Sequence, residues 1–285
     1  MASRVKVLRM PLLKKILNIS KGVKRCKMMV TNGKLIDLLA LIFICSIVIY
    51  SMKRAEKSKN RVEIRKIPAL DAIEEAIERS VEVGRPVLYC GGKMPFSGTD
   101  GPASVAAYSI LNYVARVAAQ KGADLLHICG DAEQIPLAVE MLKSGFTLGG
   151  APEKYNDSII RFFPGWSFTI GFLALLKKEK PASTIYFGPW YHESIIIGET
   201  GVEIGAFQIG GSSLTAQTPF FVCTMDYITI GEEIFAGAGY CTQNQPLLGA
   251  MRGQDIVKIL ALILITISFL TVSFNMDFFT KLLGV

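Results

Sequence analysis

The stretch GPWYHESIIIGETGVEIG, residues 188–205, sets His192 among three carboxylates, Glu193, Glu199 and Glu203. A histidine beside carboxylates can pass protons or hold a metal, so His192, Glu193 and Glu199 are the candidate catalytic residues. No spacing of base to nucleophile accompanies them, and one histidine with scattered acids does not by itself specify a catalytic group. The other histidine, His127, alternates within the apolar run LLHIC and reads as a packed core residue. Ser104 and Cys90 have no base partner in sequence, and G-x-S-x-G, the nucleophile turn of α/β-hydrolases, is absent. The cysteines show neither CxxC nor a framework spacing, so no metal centre and no disulfide framework is expected, and no cofactor is identified. Cys90, Cys129, Cys223 and Cys241 read as small buried hydrophobes of a reducing compartment.

A second kind of chemistry would come from glycines that let the backbone approach a ligand. The phrase DLLHICGD (124–131) returns a hundred residues later as DYITIGEE (226–233). Each is a strand-like apolar run, then a glycine for a sharp turn, then a carboxylate that suits a helix start; Asp131 and Glu232 are the expected caps. No G-x-G-x-x-G follows the first strand and no G-x-x-x-x-G-K-[ST] occurs anywhere, so neither nucleotide fingerprint is present. IGGSSLTAQ (209–217) could offer backbone N–H groups and two hydroxyls to an anion at a helix start, against the plainer reading of a strand–helix turn.

The elements that must position these residues alternate. A helix is expected over 67–84, then the strand-like VLYCGG, a helix over 102–121, LLHICG, a helix behind Asp131, SIIRFF, the helix WSFTIGFLALLKK, STIYFG, GAFQIGG and DYITIG. Alternation with nearly continuous apolar strands predicts an α/β fold: a doubly wound, mostly parallel sheet flanked by helices, Rossmann-like in plan. Ligands of such sheets sit beyond the carboxyl ends of the strands. Those ends carry Gly188, His192, Glu193 and Glu233 together with the candidate ligand-binding residues Gly91, Gly92, Gly130, Asp131, Gly210, Gly211, Ser212, Ser213 and Glu232.

Composition adds the setting. Apolar residues make up 51% of 285 positions, and the mean hydropathy of +0.38 is high for a soluble chain. LIDLLALIFICSIVIYSM (35–52) and IVKILALILITISFLTVSF (256–274) each approach the ~20 apolar residues that cross a bilayer. No A-x-A-like cleavage site follows residue 52, so the first span reads as retained. The expected order is a basic tail (1–34), a transmembrane helix (35–52), a basic linker (53–66), an α/β domain (67–255), a second transmembrane helix (256–275) and a short tail (276–285). Residues 1–34 carry ten Lys/Arg and no acid, whereas residues 67–255 carry twelve against twenty Asp/Glu. A central net charge of −8 excludes a basic nucleic-acid face there. The expected partner is the lipid bilayer, whose anionic surface attracts flanking basic residues.

Within reach of the span ends lie nine basic residues on the domain side and six on the other. The positive-inside rule therefore places the α/β domain in the cytoplasm and both termini outside. Met28 and Met29 are alternative starts that would shorten the outer tail.

The stretches KIPALDAIEEAIERSVEVGRPVLYCGG, IGETGVEIGAFQIGG, TPFFVCTMDYITIGEEIFAGAGY and MRGQDIVK together resemble an uncharacterised family of prokaryotic membrane proteins known only as a domain of unknown function. The resemblance spans about residues 66–260. It implies a membrane-anchored domain in the plasma membrane of an archaeon or bacterium and transfers no activity and no site residue. The leading expectation is therefore a membrane-anchored domain that binds a small ligand, an anion among the candidates, at its Gly-rich edge, with enzymatic activity undecided. The competing one is a homo-oligomeric scaffold without a ligand, suggested by the small residues Gly237, Ala238 and Gly239 ahead of the second span.

Overall fold

The computed structural model describes residues 32–57 and 67–273. The expected basic tail as far as residue 31, Met28 and Met29, linker residues 58–66 and the last twelve residues lie outside the described residues. The chain divides into two units, Met1–Tyr50 with Gly253–Val285, and Ser51–Arg252, which holds the sheet.

Nine α-helices and six strands are described. They run α1 (Asn32–Lys57), α2 (Pro68–Val83), β1 (Val87–Cys90), α3 (Gly101–Lys121), β2 (Leu125–Cys129), α4 (Gln134–Leu148), β3 (Ile160–Phe162), α5 (Ser167–Glu179), β4 (Ser183–Gly188), α6 (Glu193–Glu203), β5 (Phe207–Ser212), α7 (Thr218–Thr224), β6 (Tyr227–Ile230), α8 (Glu233–Thr242) and α9 (Gln245–Ser273). The strands form one sheet in the order β3-β2-β1-β4-β5-β6, and every pairing is parallel. The expected parallel α/β architecture is present. Helices α6 and α7, absent from the sequence reading, complete the crossovers on either side of β5.

The strand side chains alternate between two cores. Tyr89, Cys129, Ile185 and Ile209 point to one face, where they meet α2, α3, α4 and α8. Leu88, Cys90, Ile128 and Tyr186 point to the other and meet Phe168 and Phe172 of α5, Ile197 of α6 and Phe221 of α7. Burying each such side chain is worth about 1.5–3 kcal/mol, which is why strands covered on both faces read as unbroken apolar runs.

Local chemistry sets the helix limits. Pro68 opens α2, its buried Leu70, Ile73 and Ile77 recur at helical spacing, and Gly84 at φ 70° ends it. Close packing of α3 on α4 depends on two glycines one turn apart. A Cβ on Gly145 would lie 2.7 Å from the Asn112 carbonyl, and one on Gly149 would lie 2.6 Å from that of Arg116.

Among the described residues two helices are long and apolar enough to cross a membrane: Asp37–Lys57, mean hydropathy 1.8, and Gln245–Leu270, mean hydropathy 1.9. Both extend beyond the expected spans. Residues 53–57, read as the start of a linker, continue α1, and α9 begins at Gln245 instead of Ile256. At the sheet-bearing end of these helices Gly249 makes the contact possible: a Cβ there would stand 2.8 Å from the Ser51 carbonyl, beside Ala55. Ala55 and Leu248 are buried together at that point.

Candidate functional site: the carboxyl edge of the sheet

With strand order 3-2-1-4-5-6, the direction of winding reverses between β1 and β4, and the crevice beyond their carboxyl ends is where ligands of such sheets collect. Here that crevice is shut by backbone. Gly92 has φ 81°, and a Cβ on it would lie 2.6 Å from the carbonyl oxygen of Pro189; a Cβ on Gly188 would strike the carbonyl of Gly91. Both positions need glycine, and the reason is loop-to-loop contact.

Gln134, fully buried, secures the neighbouring loop. Its Oε1 accepts from the N–H groups of Gly130 (2.9 Å) and Asp131 (3.3 Å), while its Nε2 donates to the carbonyls of Gly92 (3.1 Å) and Met94 (3.0 Å). This corrects the expected cap. Asp131 accepts from the N–H of Glu133 at 2.9 Å, but α4 starts only at Gln134, whose side chain reaches back to the strand end. The second phrase follows the same scheme between β6 and α8. Glu233, not Glu232, accepts from the Ile230 N–H at 3.0 Å. The repeated phrase is thus a way of turning a strand into a helix.

Gly210 and Gly211 lie inside β5, not in the loop after it. A Cβ on Gly210 would sit 3.1 Å from the Phe221 ring, and one on Gly211 would strike Thr229 of β6. Ser212 closes the strand, its Oγ accepting from the N–H of Leu214 (3.1 Å) and of Trp190 (3.4 Å). The Ser213 N–H donates to the Gly188 carbonyl at 3.3 Å, and Ser194 Oγ donates to Gln217 Oε1 at 2.8 Å. The loops after β4 and β5 are therefore laced together.

Between and beneath these two loops lies the anomaly of the molecule. Glu193, first residue of α6, has a fully buried side chain, and neither carboxylate oxygen makes a hydrogen bond. Buried Trp190 Nε1, Ser213 Oγ and Thr218 Oγ1 are also without hydrogen-bond partners. Leaving such groups unpaired costs about 1–3 kcal/mol each, and more for a charge, and all four residues lie in the loops after β4 and β5 or at the first residue of the helix that follows.

Two basic side chains approach Glu193 Oε2 without reaching hydrogen-bond distance: Lys93 Nζ at 3.8 Å and His192 Nδ1 at 3.6 Å. The structure thus brings His192 and Glu193 together. His192 itself is 70% exposed. Glu199 is exposed and six residues further along α6, about 9 Å of helix rise away, so it does not join them. Glu203 pairs with Lys177 at 3.3 Å on the outside. Lys93 is the residue that sequence reasoning missed; its signal was a lone lysine directly after the Gly91–Gly92 turn.

The nucleophile candidates are silent. Cys90 is fully buried, burial pushes its thiol well up, and Sγ donates to the Ile128 carbonyl at 3.3 Å. Ser104 Oγ bonds the Met94 carbonyl at 3.3 Å. His127 is a core residue as expected: Nδ1 lies 3.2 Å from the Tyr89 carbonyl and Nε2 3.3 Å from the Tyr108 hydroxyl, and burial lowers its pKa to about 3. Cys90, Cys129 and Cys241 are buried as free thiols, but Cys223, expected inside, is exposed on α7. Among the described residues no group of His, Cys, Asp and Glu could hold a metal ion. A cleft of about 200 Å³ lined by Arg79, Gln208 and Asp226 opens at the opposite, amino end of β5.

Fold and edge together define a parallel, doubly wound α/β domain with unpaired buried polar atoms on the loops after β4 and β5 and Lys93, from the loop after β1, beside Glu193. The chain matches the family described as Domain of unknown function (DUF6754) over residues 26–283, and it belongs to that family. No curated protein and no solved structure matches it.

Proposed function

We propose that this protein is a membrane-anchored α/β domain that binds a small polar ligand at the carboxyl edge of its sheet, in the loops after β4 and β5. The observation that carries the reading is the group of buried, hydrogen-bond-free polar atoms on Trp190, Glu193, Ser213 and Thr218. A ligand bringing its own donors and acceptors would satisfy them. Gly91, Gly92, Gly130 and Asp131 shape the adjoining closed crevice, and Ser212 with Ser213 borders the site directly. Gly210, Gly211 and Glu232 support its walls. Any proton transfer there would fall to His192 and Glu193, with Glu199 excluded by distance.

The two apolar helices supply the anchor. Twenty-one residues of α1 give about 31 Å of rise, enough for a hydrocarbon core, and the exposed side chains between Leu38 and Tyr50 are largely apolar, with charged ones at Asp37 and from Lys53 on. The flanking basic residues favour a cytoplasmic α/β domain in the plasma membrane of a prokaryote. The alternative, a homo-oligomeric scaffold, would need a surface other than Gly237, Ala238 and Gly239. Gly237 packs on Leu70 and Ile110, Ala238 is buried, and Gly239 packs on Leu247 and Leu248, all within the chain.

The test is a melting-temperature screen of the full chain in nanodiscs against nucleotides, CoA esters, phosphosugars and small organic cations. At least one class should raise the midpoint, and Ser213→Val with Thr218→Val should abolish the shift. No stabilisation by any class would sink the reading.

A further inference from the structure

We infer that the ligand of this edge is an organic cation, an alkylammonium or guanidinium group, which Glu193 receives by displacing Lys93. The inference deepens the ligand reading above and rests on it.

Charge is the first argument. The helix starts at this edge carry acids: Asp100 before α3, Asp131 and Glu133 before α4, Glu193 in α6, Glu232 and Glu233 at α8. The connecting loops hold Lys93 and His192 as their basic side chains. Positive helix ends that would attract an anion are thus already answered by carboxylates. An anion entering here would meet like charge.

The second argument is the state of Glu193. Its two oxygens accept nothing although they are fully buried, and the basic side chains of His192 and Lys93 stop at 3.6 and 3.8 Å. A carboxylate so placed needs N–H donors and positive charge. Trp190 is three residues away in sequence, and its ring is 6.4 Å, centroid to centroid, from that of Phe168. Aromatic faces add to cation binding when water is excluded.

The third argument is that the chain already places one cation there. Lys93 Nζ lies 3.8 Å from Glu193 Oε2 and 6.0 Å from the Phe168 ring centroid, so it holds an ammonium between a buried carboxylate and an aromatic face. Its backbone is fixed on both sides, because the Gly92 and Met94 carbonyls both accept from Gln134. Its side chain is 23% exposed. The long, flexible side chain can therefore swing to solvent while the loop stays put. Lys93 acts as a tethered competitor for the ligand.

This gives opposite signs for two substitutions. The chain has two tryptophans, Trp166 (91% exposed) and Trp190 (fully buried), so Trp166→Phe leaves Trp190 as the sole tryptophan. The full-length Trp166→Phe protein in nanodiscs is titrated with butylammonium and butylguanidinium, and in parallel with butyrate and inorganic phosphate. The expected result is a saturable change of Trp190 emission with the cations alone. Lys93→Met should tighten that binding about tenfold by removing the competitor, and Glu193→Gln should weaken it at least about tenfold. Circular dichroism of each variant checks the fold, and the gain in Lys93→Met cannot arise from misfolding.

Binding of butyrate or phosphate, weakened by Lys93→Met, would overturn the cation assignment and leave the ligand site standing. Cation binding unaffected by either substitution would place the cation elsewhere and overturn it as well. Silence of Trp190 toward every probe, together with a failed melting screen, would overturn both readings.

Discussion

At the scale of single residues, the most telling side chain after Glu193 is His127. It is completely enclosed between the Tyr89 carbonyl and the Tyr108 hydroxyl, and its pKa is lowered to about 3 because burial penalises the charged ring. With Nδ1–H donating to the carbonyl, Nε2 accepts from the tyrosine, so the neutral ring satisfies both neighbours. The unfolded chain takes up a proton near pH 6.5 while the folded chain does not. Stability from this residue is therefore complete above pH 6.5 and falls as pH drops toward 3, by about 1.4 kcal/mol per pH unit. The stability gap between wild type and His127→Gln in detergent should narrow at that rate between pH 6 and pH 4. A gap that stays constant over the interval would show that His127 is protonated inside the fold.

At the scale of elements, the closed β1/β4 crevice distinguishes this sheet from one that admits a ligand between those strands. Closure comes from two loops that touch backbone to backbone, and it can be measured with a pair of glycines. Gly84 (φ 70°) ends α2 with nothing within 4 Å of where a Cβ would be, whereas Gly92 (φ 81°) faces the Pro189 carbonyl at 2.6 Å. Gly84→Ala should then cost the left-handed penalty alone, about 1–2 kcal/mol. Gly92→Ala should cost that and at least about 1 kcal/mol more, because a main-chain carbonyl must move. Denaturation midpoints of the two variants decide the matter. Equal losses would mean that the crevice opens without resistance.

At the scale of the whole molecule, the distribution of charge and thiols makes the compartment testable. The central part is net acidic and the basic residues crowd its flanks, so moving the domain-side cluster outward would work against the membrane potential, at about 2.3 kcal/mol per charge per 100 mV. Exposed Cys223 is the natural reporter of that side. In a Cys26→Ser, Cys45→Ser background, a membrane-impermeant maleimide should label Cys223 only after cells are opened. Cys90, Cys129 and Cys241, buried in the fold, should react only on denaturation. Labelling of Cys223 in intact cells would reverse the topology and move the domain to an oxidising compartment.

The linear pattern of residues determined the architecture, because the signals involved are local. Apolar runs bounded by glycine make buried parallel strands, Pro68 and Gly84 bracket a helix, and two long apolar segments stand apart from everything else by length alone. The same pattern put His192 beside Glu193, since they are neighbours in the chain. It could not reveal that Lys93, a hundred residues earlier, would stop 3.8 Å from that carboxylate, or that Gln134 would take over the capping expected of Asp131. Nor did it show that Gly210 and Gly211 serve strand packing instead of a loop, or that the β1/β4 crevice would close and the unpaired buried polar atoms lie on the loops after β4 and β5. Each of these depends on which strands become neighbours. Strand order is set by packing two faces of a sheet at once, through contacts between residues far apart in sequence, and no short window of residues contains it.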